Sequence, residues 1–356
     1  MAAADRSARA WLWGTIGLTI GALVAVVALA PPAGATPIRA LSWLLFTTSS
    51  VHVAATGGVF LTPAGRSYAR QHQTRCLWVP AGLIAGSAAA AALIAPARFQ
   101  WLLLPYFGWQ FYHYQKQNLG VAALAAAANR VPSLSETERR ALLLAGFATV
   151  GRVIADPRLL ALRVSTDLGW LRAAATAAFL IAVAVGVAAL TRRPAIARPG
   201  GFLAGYLTAL AFGLPAFVFA SPYAAVGGLT VAHGLQYLLL IGLTTGSGSR
   251  PGGWSRPVRL ALLGNIALIG GVLLSTASHL HNAGQLGRLA FGAYLGIVMT
   301  HFVIDAGIWR MRDPLARRFI TEGLPYLVPA RPAAPAPPAP VSAVTDPSST
   351  DIGCAT

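Results

Sequence analysis

Four of the seven histidines in this 356-residue chain interrupt apolar stretches: His52 in SSVHVAATGG, His113 in GWQFYHYQKQNLG, His233 in LTVAHGLQYLLL and His301 in VMTHFVIDAGIW. An imidazole surrounded by hydrocarbon is costly unless a partner satisfies its nitrogens. One such histidine is ordinarily a hydrogen-bonded packing residue. Four of them suit a metal, because neutral imidazoles ligate iron, zinc or copper without placing several carboxylates in an apolar medium. Counted from the outer ends of their stretches, the four lie about 13, 13, 9 and 12 positions in, a scatter of about 6 Å along helix axes at 1.5 Å per residue. One layer of imidazoles near mid-membrane is therefore expected, with His52, His113, His233 and His301 as metal ligands.

Their neighbours carry further chemistry. Asp305 follows His301 by four residues and shares its helix face, where it would orient a ligating imidazole or ligate directly. Tyr237 follows His233 by four and Gln236 by three, so the phenol would bound the site, ligate weakly or donate a hydrogen bond to bound oxygen. Tyr237 and Asp305 are the candidate catalytic residues. Gln110 and Gln117 share the face of His113, and Tyr112, Tyr114, Lys116 and Asn118 add to its polarity. The amides fit either a site or an interhelical polar network. His279 and His281, beside Asn282, read as solvated residues near a loop, and His72, in RSYARQHQTR, as facing headgroups or water.

The elements that must position these residues are membrane helices. Hydrophobic residues make up 56% of the chain and charged residues 10%, with a mean hydropathy of +0.62, against about 25% charged in soluble domains. Apolar runs fall at about 11 to 30, 39 to 62, 77 to 95, 100 to 128, 168 to 190, 201 to 220, 224 to 245, 258 to 278 and 289 to 309. Nine crossings would put the clusters Arg192, Arg193, Arg198 and Arg310, Arg312, Arg317, Arg318 outside, against the positive-inside rule. A tenth, opening near residue 134 with capping chemistry from Ser133, Ser135, Glu136 and Glu138 and running through Ala141 to Ala155, restores the asymmetry: 18 basic residues inside against 5 outside. The expectation is an all-α polytopic transmembrane bundle of about ten helices over residues 1–328, integral to a bacterial-type cytoplasmic membrane, both termini cytoplasmic. The apolar run near the N-terminus is long for a signal peptide and reads as a retained helix. Residues 329–356, rich in Pro and Ala, read as a disordered cytoplasmic tail.

Composition and motifs exclude several classes. The +17 formal charge lies in short clusters between apolar runs rather than along one stripe, which argues against a nucleic-acid partner. Cys76 and Cys354 provide neither a disulfide framework nor a Cys-rich metal site. Phosphate-loop, HExxH and GxSxG signatures are absent, as is a strand before RPGGFLAG that would make it a dinucleotide fingerprint.

Four stretches in order, VHVAATG, YHYQKQNLG, AHGLQYL and THFVIDAGIWR, resemble the His-containing segments of the Brp/Blh family of membrane β-carotene 15,15'-dioxygenases. The last is the most characteristic, with His, a short apolar stretch, Asp, an aromatic residue and Arg. The resemblance covers about 50 residues and implies histidines on separate helices that hold Fe(II) for O2-dependent cleavage of a carotenoid-like substrate. Where that family's third segment has a second His, this chain has Tyr237. The leading expectation is thus a His-ligated metal oxygenase or oxidoreductase, with non-haem iron favoured over another transition metal, acting with O2 on a lipophilic substrate from the bilayer, with Trp109, Phe111, Tyr112, Tyr114 and Tyr237 lining its pocket. An ion- or proton-coupled transporter or channel, or a b-type haem protein with paired axial histidines, would use the same polar layer.

Overall fold

The computed structural model describes residues 2–32, 35–164, 168–247 and 254–328. The expected tail at 329–356, Cys354 and Arg250 lie outside the described residues. Every regular element described is helical: α1 (Ala2–Leu29), α2 (Arg39–Leu61), α3 (Pro63–Gln71), α4 (Thr74–Leu93), α5 (Pro96–Ala128), α6 (Glu136–Ala155), α7 (Gly169–Thr191), α8 (Gly200–Leu210), α9 (Tyr223–Gly246), α10 (Arg256–Ser278), α11 (Gln285–Ile308) and α12 (Pro314–Gly323). Helix is present at each of the ten expected segments, and the chain is an integral membrane helical bundle. Seven of these helices, α1, α2, α4, α7, α9, α10 and α11, are long and apolar enough to cross a membrane. The expected run at 201 to 220 is not continuous: helix stops at Leu210 and resumes for one turn at Pro215–Val218.

Three local features set the geometry. In α6 the expected N-terminal chemistry is a capping box, with the Glu138 carboxylate accepting from Ser135 N–H at 2.7 Å and Ser135 Oγ accepting from Glu138 N–H at 3.3 Å. In α2 the hydroxyls of Thr47, Thr48 and Ser49 donate to the carbonyls of Trp43, Leu44 and Leu45 at 2.9, 2.7 and 2.6 Å. Such bonding competes with the backbone ladder, and here the helix widens to a π-turn over Thr47–Val51 just before His52, then tightens to a 3-10 helix over Thr56–Leu61. In α9, a Cβ at Gly234 would collide with the Thr48 carbonyl oxygen. The bare α-carbon lets α9 touch the α2 backbone one residue from His233.

The bundle is arranged for lipid. Helix α9 is the most enclosed of the seven candidate spans, 72% of its apolar window being buried, and it packs against α1, α2, α5, α10 and α12. Leu180, Ile181, Val185, Leu268, Val272 and Leu273 are exposed along α7 and α10, whereas Gln115, Asn118 and Gln236 are buried between helices. Gln117 donates to Gln236 Oε1 at 2.9 Å, and Gln236 to Thr19 at 2.7 Å and Asn118 at 3.4 Å. These amides thus join α1, α5 and α9, the network alternative left open for them.

Candidate metal centre

The four histidines come from four helices, α2, α5, α9 and α11, and their rings meet. Ring centres are 5.1 Å apart for His52 and His233, 4.9 Å for His233 and His113, 5.0 Å for His113 and His301, and 4.9 Å for His301 and His52. The rings form a closed cycle of nearly equal sides, each turned 76 to 90° from the next; the His233 to His301 diagonal is 6.1 Å. All four side chains, and Asp305, are at most 7% exposed.

Among the described residues, both ring nitrogens of His52 and His233, and Nε2 of His113 and His301, are buried without a hydrogen-bond partner. The Thr48 and Ser49 carbonyls flank His52 without reaching hydrogen-bond geometry. Six orphaned imidazole nitrogens in one place is contrary to the usual satisfaction of buried polar groups, and a shared cation would satisfy one nitrogen on each ring. The spacing agrees. A metal-to-nitrogen distance of about 2.1 Å puts ring centres about 5.2 Å apart in a tetrahedral site, or about 4.5 Å along the sides and 6.4 Å across in a square one. The cycle here falls between the two. His52, His233 and His301 offer donor atoms within 4.8 Å of one another, and so do His113, His301 and Asp305. The buried His and Asp cluster is thus geometrically able to bind a metal.

Asp305 points into the cluster. Its Oδ2 lies 3.8 Å from His113 Nε2 and 3.9 Å from His301 Nε2, while Oδ1 accepts from Trp309 Nε1 at 3.2 Å. Tyr237 is fully buried with its ring centre 4.9 Å from that of His301, and its hydroxyl donates to Thr56 Oγ1 at 3.1 Å. Tyr114 stacks on His233 at 4.2 Å and Phe302 on His113 at 4.6 Å.

Thr56 is the residue the sequence reading overlooked: its Oγ1 is 2.7 Å from His301 Nδ1, and so joins His301 to Tyr237. A signal existed. Each of the four histidines is followed four positions later by a polar residue, Thr56, Gln117, Tyr237 or Asp305, one helical turn along the same face.

A cavity of about 230 Å³ adjoins the cluster at His52. It runs between α2, α5, α9 and α11 to Ser278 and Phe291. Of the aromatic residues expected to line a pocket, Tyr114 does so; Trp109, Phe111, Tyr112 and Tyr237 are outside its wall, which is built instead from Tyr106, Phe107, Phe291, Tyr294 and Phe302 with Leu103, Leu295 and Val298. Phe111 faces Tyr114 in the core, and Tyr112 stacks on Phe147 of α6.

The remaining histidines are apart from the cluster. His279 and His281 are exposed, their Nδ1 atoms 2.7 and 3.3 Å from the Ser275 and Ser278 carbonyls. His72 does not simply face water: it stacks on Tyr68 at 4.2 Å, and its Nε2 is 3.1 Å from Asp313 Oδ2, because α12 packs against α3. Comparison of the chain with protein-family models, with curated proteins and with solved structures finds no match.

Proposed function

We propose that this protein is a membrane-embedded, histidine-ligated metal oxidoreductase, using non-haem Fe(II) and O2 on a lipophilic substrate that enters from the bilayer. The observation that carries the reading is the cycle of four buried imidazoles with orphaned nitrogens, set against a largely apolar cavity. His52, His113, His233 and His301 would hold the metal, with Asp305 as a fifth ligand or as the group orienting His113 and His301. Iron bound by neutral imidazoles with an open position supplies O2 activation. The residues of this chain do the rest: the cavity wall aligns the substrate and excludes water, Tyr237 presents a phenol proton beside His301, and the Thr56 hydroxyl oxygen accepts that proton while engaging His301 Nδ1. The resemblance to the Brp/Blh segments supports the same ligand set and a carotenoid-like substrate class. The exchange of a family His for Tyr237 leaves His301 to complete the cycle.

A haem does not fit the arrangement. Axial imidazoles need a macrocycle between them, and the space beside any pair of these rings is taken by the other two, about 5 Å away. A coupled transporter would use the same layer, and the irregular backbone of α2 around His52 is the feature that favours it. Metal analysis separates the two. Protein expressed with iron and purified intact is expected to contain stoichiometric iron, lost in His113→Ala and bound about 10 to 100-fold more weakly in Asp305→Asn. Intact wild type that takes up no transition metal would overturn the enzyme reading.

A further inference from the structure

The wall of the cavity carries one side-chain amide, Gln110, and its direction can be worked out. Thr230 Oγ1 donates its single proton to the Val226 carbonyl at 3.2 Å, so it can only accept from Tyr114, whose hydroxyl is 3.2 Å away. The Tyr114 proton is thereby committed to Thr230, and the phenol oxygen accepts from the Gln110 amide nitrogen. This chain of donors fixes the amide orientation: Nε2 faces Tyr114, and Oε1 is left buried with no partner. Gln110 is a wall residue of the cavity. Tyr106 and Tyr294, also in the wall, form no hydrogen bond among the described residues, but a phenol both donates and accepts and so does not discriminate. An amide oxygen only accepts. A ligand that fills this cavity without supplying a donor leaves the Gln110 oxygen unsatisfied, which costs free energy.

From this we infer that the cavity takes an apolar molecule bearing a hydroxyl group, which donates to Gln110 Oε1 while its hydrocarbon body lies along Leu103, Phe107, Leu295, Val298 and Phe291. Gln110 is one helical turn from His113 on α5, so the hydroxyl end lies next to the histidine layer. Phe291 is 11 residues from Phe302 on α11, about 16 Å at 1.5 Å per residue, so the body extends toward the end of the bundle where α10 stops at Ser278. The inference rests on the proposed function in one respect only: the hydroxyl, and the carbons next to it, are what the metal centre would meet.

Three tritiated probes of equal chain length test it: 1-dodecanol, which donates; dodecyl methyl ether, which only accepts; and dodecane, which does neither. Saturable binding to the purified full chain in nanodiscs is expected to favour 1-dodecanol at least tenfold over the other two. Gln110→Leu should reduce 1-dodecanol to the level of the ether, and Leu295→Trp, which fills the cavity, should abolish saturable binding of all three. Equal affinity of the wild type for alcohol and ether would overturn the inference, as would retention of the preference in Gln110→Leu. Iron content measured on the same samples separates this outcome from the fate of the metal reading. Alcohol selectivity in protein that binds no iron would leave the cavity assignment standing alone, and iron-loaded protein without selectivity would remove the cavity assignment alone.

Discussion

At the residue scale, the site depends on which nitrogen of each ring faces the centre. For His301, Nδ1 is engaged by Thr56 and Nε2 faces the cluster, so ligation through Nε2 requires the proton on Nδ1. With its proton on Nδ1, His301 donates to Thr56 Oγ1 at 2.7 Å, and the Nε2 lone pair is left facing the cluster. The second lone pair of Thr56 accepts from Tyr237. Valine has nearly the shape of threonine and no acceptor, so Thr56→Val is expected to weaken iron binding about 10 to 100-fold, the usual loss when a hydrogen bond behind a ligand is removed. Thr56→Ser should restore it. Competition with a chelator measures both, and wild-type affinity in the valine variant would show that Thr56 only packs. The Asp305 carboxylate and the four imidazoles were legible in the sequence because titratable groups are rare at membrane depth. Thr56 was not, since a hydroxyl in a membrane helix routinely bonds its own backbone, as Thr15, Thr48 and Thr276 do here.

At the scale of elements, α12 shows how a surface helix is tied to the bundle. Asp313 caps it, accepting from the Leu315 and Ala316 N–H groups at 2.9 and 3.1 Å, and faces His72 of the segment after α3. Burial pushes the Asp313 carboxyl up, but the Ala316 and Leu315 N–H groups and His72 outweigh it and hold the carboxyl below its ordinary value. A carboxyl depressed in the folded state stabilises it above the unfolded pKa of about 3.9 and loses that contribution as pH falls through the lower folded value. The docking of α12 is therefore expected to be constant from neutral pH down to about 4 and to weaken below it. Asp313→Asn should show the weakened state already at neutral pH. Hydrogen exchange of the α12 amides reads this directly, and equal protection at pH 7 in wild type and Asp313→Asn would refute it. Capping of this kind is legible from local sequence, as it was for Ser135 and Glu138. The partner His72 was not, because α3 and α12 are some 240 residues apart and only their packing brings the ring to the carboxylate.

For the whole molecule, six exposed tryptophans bear on where the helices meet the membrane surface. Trp13, Trp43, Trp78, Trp101, Trp170 and Trp254 are all more than half exposed; the last five lie near the start of, or just before, a helix, and Trp13 lies near the start of the apolar run within α1. In the expected ten-crossing arrangement with cytoplasmic termini, Trp13, Trp78 and Trp254 would lie at the inner interface and Trp43, Trp101 and Trp170 at the outer one, and the reverse orientation would exchange the two sets. Topology reporters fused after residue 162 are expected on the side opposite to those after residues 135 and 196. Agreement between 135 and 162 would remove α6 as a crossing, and agreement between 162 and 196 would remove α7.

The helical class, the ten helical segments and the depth of the four histidines follow from the sequence alone, because hydrophobic run length, capping residues and basic borders act locally and leave their mark on consecutive residues. Which helices become neighbours does not. The closure of the imidazole cycle depends on the π-turn that rotates His52, on the bare α-carbon of Gly234 against Thr48, and on α9 taking the centre of the bundle. The same holds for the pocket: aromatic residues adjacent to His113 in sequence turn toward other helices, and residues of α11 distant in the chain form its wall. In a bilayer, where apolar surface gains little by leaving lipid, the choice among neighbours rests on close packing and on the pairing of polar groups, and both are properties of surfaces that exist only once the helices have met.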